Sequence, residues 1–467
     1  MAKWNENWMD ANGEGLSRRG FLGVGLGALA GLTLGRRLIL PAVGQVTAEE
    51  ATSATAPAAL PAARAKSVIL LWMGGGPSHL DTFDPKPEAG DAYCGPLKKP
   101  LETNVAGIRI SELLPLLAKQ ADKYSIIRSM THDNNGHETA TYIMQTGTLP
   151  SSDLSYPAMG AVTAYEFQTG GRYTGLLPPY ISLTNSLGRF SEAGFLGPNY
   201  QSFATGGDPA AKEFNVQGLV LPRELTDQRV KNRMDMLQAV NTLGLREKND
   251  PDLGVMNEYQ RRAWELMQGE APQVFNLATE PEELRKKYGM NKFGQSCLAA
   301  RRLVEKGVPF VTVNMGGWDT HKENFEAMRR LLPVLDGGFA TLLEDLAGRG
   351  LLESTIVVWT GEFGRTPKIE REAPWNGGRS HYGTVFSVVV AGGGFKGGRV
   401  LGASDEKGEK VKERPVYPWD LSATIYQLLG IDPNGKLPNP QGGMAARVTP
   451  ALPPKTKSGG LLKELVA

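Results

Sequence analysis

Cysteine is nearly absent. The 467-residue chain holds two, Cys94 and Cys297, far apart in sequence. One disulfide outside the cytoplasm is the most that count allows. Cys297 falls in a helical pattern (Ser296-Cys297-Leu298-Ala299-Ala300), which predicts core packing, and neither thiol is expected to be catalytic. An excess of one charge is also missing: 51 basic residues face 49 acidic ones, a net of +2. That balance gives no electrostatic case for nucleic acid or for an anionic membrane surface. No internal repeat is found. The weakly apolar run Gly23 to Gly35 is too short and too rich in glycine to be a stable transmembrane segment. Histidine is scarce too, with five in the chain.

What is present is a globular composition, 41% hydrophobic and 21% charged, with 57 glycines and 31 prolines. A real core with long ordered loops is expected. The five histidines all lie in short clusters rich in Gly, Asp, Asn or Glu: His79 (GGGPSHLDTFD), His132 and His137 (THDNNGHETATY), His321 (GGWDTH) and His381 (GGRSHYG). Asp81, Asp319 and Glu362 lie near or among them. Imidazole is the commonest protein ligand for zinc-like ions and the usual proton carrier near neutral pH. The pattern points to loops converging on one metal site.

Short apolar runs precede most clusters. Ser67 to Met73 leads into Gly74-Gly75-Gly76, and Lys123 to Arg128 leads to His132. Val308 to Asn314 leads to Asp319 and His321, and Thr355 to Thr360 leads to Glu362. Thr384 to Ala391 instead follows His381. Runs of this length, buried on both faces and separated by helices, predict an α/β fold with a mainly parallel sheet flanked by helices. Binding groups then gather at the carboxyl ends of the strands. Thr279-Glu280-Pro281-Glu282 has capping-box form and should open a helical region towards Lys306. Leu332, Leu335, Phe339, Leu342, Leu343 and Leu346 recur at helical spacing, and 420–429 form another short amphipathic helix.

The expected organisation is an N-terminal signal over 1–40, an Ala/Pro/Thr linker over 41–65, a main domain over 66–455 and a tail over 456–467. Residues 148–290 read as a loop-rich insertion or cap. Ser17-Arg18-Arg19-Gly20-Phe21-Leu22 resembles the twin-arginine export signal, with Ser17, Arg18, Arg19, Phe21 and Leu22 as its marks. This implies a periplasmic or extracellular protein that meets the twin-arginine translocase during export. That route takes folded proteins, so a metal loaded beforehand would fit.

Longer stretches carry a second resemblance. Leu335 to Gly364 (LDGGFATLLEDLAGRGLLESTIVVWTGEFG) is similar to a helix and strand of the sulfatases. Pro418 to Thr424 with Leu428 to Pro433, and Val388 to Gly398 (VVVAGGGFKGG), resemble two further segments. His137 to Gly147 matches the spacing of the nucleophile helix. The chain is therefore identified as a member of the alkaline phosphatase and sulfatase superfamily. Its closest branch is the exported sulfatase-like family of unknown function, marked by GGWDTH and GEFGRTP. The resemblance implies an alkaline-phosphatase-like fold and metal-dependent hydrolysis of a phosphate or sulfate ester, on a small molecule or a glycan. His137 stands where the covalent nucleophile is expected, Phe363 replaces a histidine ligand, and neither cysteine lies in a formylglycine motif.

The residues leave several roles open. Asp81, His79, Asp319, His321, Glu362 and His381 are the metal candidates, for Zn, Mn, Ca or Mg. Asp319 is either a ligand or a helix cap, and Glu362 a ligand, a partner of Arg365, or both. His137 is a ligand, a general acid or a nucleophile. Arg365 and Arg379 suit a bidentate grip on an anionic ester, with Arg365 also a catalytic candidate. His132 reads as a loop histidine, and Trp318, Trp359 and Trp375 as packing residues. The rival expectation is a non-catalytic scaffold that binds an anionic or sulfated glycan at the cell surface. A structural or assembly role for the insertion is a third.

Overall fold

The computed structural model describes residues 62–151, 154–188, 192–212, 271–438, 445–450 and 458–467, with scattered positions between 214 and 269. The expected export signal and most of the linker lie outside the described residues, as does most of the 213–270 part of the expected insertion. The chain divides after Ala58, and the second unit, Ala59–Ala467, carries every described residue.

Eight strands form the central sheet. They are β1 (Ser67–Met73), β2 (Tyr124–Met130), β3 (Tyr180–Leu183), β4 (Phe203–Ala204), β5 (Phe310–Met315), β6 (Thr355–Thr360), β7 (Phe386–Ala391) and β8 (Arg399–Leu401). Their spatial order is β8-β2-β7-β6-β1-β5-β3-β4. All pairings are parallel except those of β7, which runs against both β2 and β6. The expected mainly parallel α/β sheet is what forms. β1 and β6 are buried along their whole length, because continuous apolar runs with β-branched residues suit a sheet covered on both faces.

Six helices matter here: α1 (His137–Thr146), α2 (Met159–Thr169), α3 (Glu282–Tyr288), α4 (Lys292–Glu305), α5 (Asn324–Gly348) and α6 (Pro418–Leu428). The pleat of β1 sorts its side chains to the two faces. Ile69, Leu71 and Met73 join one apolar core with Leu298 of α4 and Leu332, Leu335, Phe339 and Leu343 of α5. Val68, Leu70 and Trp72 join the other with Met144 of α1, Val162 of α2 and Ile425 of α6. Among the described residues, no helix is long and apolar enough to cross a membrane. Cys94 and Cys297 are both free and buried, so the one disulfide the count allowed is not formed.

Two local expectations change. The Thr279 capping box is not made: the Thr279 hydroxyl donates to the Asn276 carbonyl at 2.8 Å, and Glu280 pairs with Arg301 and Arg302. The helical region beyond breaks at Gly289, and α4 starts afresh from Asn291, whose side chain accepts from Gly294 N. Within the expected insertion, Tyr180–Leu183 and Phe203–Ala204 extend the main sheet beside β5.

The direction of β7 explains the odd position of His381. At a sheet rim where parallel strands end, an antiparallel strand begins. His381, just before β7, therefore arrives at the same rim as the residues that follow β1, β2, β5 and β6.

Candidate metal centre

Four loops meet at this rim. Gly74-Gly75-Gly76 leaves β1, and only glycine fits at its second and third positions. A Cβ on Gly75 (φ 115°) would lie 2.3 Å from Asp319 N, and one on Gly76 (φ 82°) would lie 2.5 Å from the Phe363 ring. The close approach lets Gly75 N donate to Glu362 Oε1 at 2.9 Å. Glu362, just past β6, is thereby held facing the loop after β5.

The acids and imidazoles then interlock. His137, the first residue of α1, places Nδ1 2.7 Å from Glu362 Oε1. A carboxylate can only accept, so Nδ1 carries the proton and Nε2 keeps its lone pair. That Nε2 lies 3.4 Å from Asp319 Oδ2. His381 Nδ1 lies 2.8 Å from the Asn135 carbonyl, which fixes its proton in the same way. Its free Nε2 lies 3.1 Å from Asp319 Oδ1. His321 Nε2 is 2.8 Å from His381 Nε2 and 3.2 Å from Asp319 Oδ1. Ligand atoms of His137, Asp319 and His381 all fall within 4.8 Å of one another, a group able to hold a metal ion.

The donor set fits a divalent ion. Bonds of about 2.0–2.2 Å in a tetrahedron separate neighbouring ligand atoms by roughly 3.3–3.6 Å, and the Asp319 contacts lie at 3.1–3.4 Å. Each of two imidazoles is turned by a second partner so that its lone pair faces the group, the usual outer-sphere arrangement of metal histidines. Glu362 Oε2 is buried and has no hydrogen-bond partner among the described residues, leaving the second carboxylate oxygen available.

Electrostatics keep the ligands ready. Burial works to raise the Asp319 carboxyl, but Arg365 and the histidines His381 and His321 outweigh it and hold it down to about 2. The hydrogen bond to Glu362 raises His137 above its ordinary value. Burial lowers His321 and also His132. Phe363 is fully buried and floors the site, its ring centroid 5.0 Å from that of His137 and 4.6 Å from that of His381.

The sequence candidates thus separate into two groups. His137, Asp319, His321, Glu362 and His381 come together. Arg365 lies beneath them, fully buried. It pairs with Asp319 and donates to the carbonyls of Gly75, Gly76 and Arg379. Asp319 is not a helix cap, since the residue preceding α5 is Glu323.

His79, Asp81 and Arg379 lie elsewhere, in the packed floor. His79 Nε2 is 2.9 Å from the Gly408 carbonyl. Asp81 is gripped by Arg379 through Nε at 2.8 Å and Nη2 at 3.0 Å, and by Asn324 Nδ2 at 2.8 Å. The remaining donors of Arg379 go to the carbonyls of Thr366, Pro367 and Tyr93. With five N–H groups engaged, Arg379 has none left for an anion. Asp81 is likewise committed to the protein and not turned to the ligand group.

Two contributors escaped the sequence reading. His132 donates from Nε2 to the Glu362 carbonyl at 2.7 Å, while its Nδ1 accepts from Asn134 N at 3.1 Å. Asn135 orients His381. The signal was there: both sit in the same THDNNGH run as His137. Strain marks the neighbourhood too, with Asp133 (φ 55°), Glu323 (φ 50°) and Asn376 (φ 47°) in the left-handed region.

Residues 65–450 match the family described as "Protein of unknown function (DUF1501)". The chain belongs to this family. No curated protein matches the sequence. Among solved structures, the chain is similar to the lipoteichoic acid synthase LtaP from Listeria monocytogenes (10% identity, TM-score 0.37, covering 80% of this chain and 74% of that one). It is similar to the PsFucS1 sulfatase from Pseudoalteromonas sp. (14%, 0.34, 79% and 68%). A mutant TAB5 alkaline phosphatase with bound magnesium is a third (11%, 0.34, 79% and 99%). Sulfatases and alkaline phosphatase superfamily members are thus the kind of structure this DUF1501 chain is compared with, while its fold rests on its own sheet and helices.

Proposed function

We propose that this DUF1501 protein is a metal-dependent hydrolase of a phosphate or sulfate ester, exported by the twin-arginine route to the periplasm or beyond. The carrying observation is the convergence of His137 Nε2, Asp319 and His381 Nε2, with both imidazoles turned by Glu362 and by Asn135. His137, Asp319 and His381 would hold the ion, with His321 and the free oxygen of Glu362 beside them. A bound divalent ion supplies charge stabilisation on an ester oxygen and lowers the pKa of coordinated water.

The chain's own residues do the rest. Glu362 accepts a hydrogen bond from His137 Nδ1–H and so keeps the Nε2 lone pair turned towards Asp319. Arg365 keeps Asp319 ionised. Phe363 and the glycine loop exclude water from beneath the ligands. His321, half-buried beside Asp319 and His381, can carry a proton to or from a leaving oxygen.

A second reading is a binding protein without turnover. It draws on the fate of the arginines: Arg379 spends all five guanidinium N–H groups on protein acceptors and Arg365 four of its five, so neither can grip an ester anion bidentately. The test is elemental analysis of the purified full chain, then assay on p-nitrophenyl phosphate and p-nitrophenyl sulfate. About one divalent ion per chain, with hydrolysis lost in Asp319→Ala, is the expected result. A metal-free protein that stays metal-free after incubation with Zn, Mn, Ca and Mg overturns the metal reading. Tight metal binding without hydrolysis favours the second.

A further inference from the structure

The loop from Glu370 to Gly378 closes on itself beside the metal centre. Glu370 N donates to the Gly378 carbonyl at 3.0 Å, and Gly377 N donates to the Glu370 carbonyl at 2.8 Å. Within it, Trp375 N and Asn376 N both donate to the Glu372 carbonyl, at 2.9 and 3.2 Å. The loop is fastened in turn to the segment that carries His321. Arg379 N donates to the Thr320 carbonyl and Glu323 N to the Trp375 carbonyl, each at 3.1 Å. Gly378 presses so close that a Cβ there would lie 1.7 Å from the His321 carbonyl oxygen. Backbone bonds on both sides thus fix Trp375 next to His321. Their ring centroids are 6.0 Å apart, with the planes tilted by 43°.

Burial sets this indole apart. Trp72, Trp318, Trp359 and Trp419 are buried. Trp375 is the one described tryptophan that keeps part of its surface in solvent, and it joins neither apolar core. The packing role expected of it from sequence therefore holds for Trp318 and Trp359 but not here. A large flat side chain on a pinned backbone has little conformational freedom to lose when a ligand settles on it.

Its position relative to the ligand group is what gives it a use. His321 Nε2 lies 3.2 Å from Asp319 Oδ1 and 2.8 Å from His381 Nε2, so the same imidazole has the metal centre on one side and the indole on the other. A molecule anchored at Asp319 and His381 that extends past His321 meets Trp375 next. The charges of the loop restrict what that molecule carries. Glu370 and Glu372 are its acids, and Arg371 is engaged with the Asp91 carbonyl. A second negative group at this wall is repelled, while a neutral ring with a flat face of C–H bonds suits the indole.

We infer that Trp375 is a specificity residue, whose indole receives a neutral ring borne by the leaving group of an ester held at the metal centre. The inference rests on the metal reading for its anchor. An aryl ring and the C–H face of a sugar offer the indole the same flat surface, and the experiment separates them.

The test is titration of the full chain, loaded with whichever of Zn, Mn, Ca or Mg it retains, with methylphosphonate, phenylphosphonate and cyclohexylphosphonate. None of these can be hydrolysed. The protein carries 5-fluorotryptophan, and the Trp375 fluorine resonance is assigned by its loss in Trp375→Leu, or in Trp375→Phe if the leucine variant does not fold. A ring-bearing phosphonate should bind about three- to tenfold more tightly than methylphosphonate and should move the Trp375 resonance, which methylphosphonate leaves in place. In the folded variant Trp375→Leu the preference should disappear. A preference shared by cyclohexylphosphonate assigns a saturated ring such as a sugar, and one confined to phenylphosphonate assigns an aryl ring. Three results overturn the inference and leave the metal reading intact: no ring preference in the loaded chain, a preference that survives in Trp375→Leu, or a Trp375 resonance that does not respond. A chain that retains none of the four ions overturns both.

Discussion

Glu362 and His137, 225 positions apart, share a hydrogen bond of 2.7 Å between Oε1 and Nδ1. The bond selects one imidazole tautomer and aims the other nitrogen at Asp319. Glu362 is itself anchored by Gly75 N. In the proposed metal site its role is therefore partly indirect, through the direction of a ring.

Glu362→Gln should keep the fold and weaken metal binding by about 10–100-fold, the usual effect of losing an outer-sphere partner. Isothermal titration with zinc reads this. Equal affinity in the variant would show that the ring needs no such guide.

Asp319→Asn should abolish metal binding while leaving thermal stability nearly unchanged. Arg365 keeps its carbonyl partners on Gly75, Gly76 and Arg379, and the new amide still offers an acceptor. Metal content and the melting curve of the same sample separate the two effects. A D319N variant that still binds one ion per molecule contradicts the assignment.

Asp81→Ala should behave in the opposite way. It leaves Arg379 buried without its carboxylate, and removing one partner of such a pair costs about 3–5 kcal/mol. Urea unfolding should show that loss, and added metal should not restore it. Rescue by metal would place Asp81 among the ligands after all.

Metal affinity should fall on acidification with a histidine midpoint. Glu362 raises His137 above the ordinary 6.5, so protons compete with the ion until the pH exceeds that raised value. Asp319, held down to about 2, stays ionised throughout. Competition titrations between pH 5 and 8 should show affinity rising with pH across the His137 transition. A profile flat above pH 5 would exclude His137 as a ligand.

The two thiols should be silent in the native protein. Cys94 and Cys297 are free and buried, and burial pushes both thiols up. A thiol-reactive dye should label neither until denaturant is added, and then both. Rapid native labelling would mean that the core opens.

Much of the architecture was legible from residue patterns. Ser67–Met73 and Thr355–Thr360 form strands with the bounds their apolar runs imply. Each has buried side chains on both faces, which leaves a continuous signature. Tyr180–Leu183 gave no such signal, because four residues after two prolines are too few to set a period. Its place beside β5 comes from tertiary pairing alone. At the rim, polar clusters identified the loops but not the direction of each side chain. Asp81 and Asp319 look alike in sequence, each in a polar loop beyond a strand. One finds a buried guanidinium and turns inward, the other is half exposed and turns towards imidazoles. Arg365 and Arg379 carry the same lesson, since a guanidinium's value to a ligand depends on how many carbonyls reach it first.

The far side of the sheet has its own use. Arg64 N and Ala65 N donate to the Leu428 carbonyl just before β1 begins. Ala467 N donates to the Gly394 carbonyl just after β7 ends. Both extremities of the folded body leave from the edge where β1 starts, a strand's length of about 20 Å from the histidines. A tether or affinity handle fixed at either extremity would hold the molecule by its back and leave the ligand-bearing edge facing open solution.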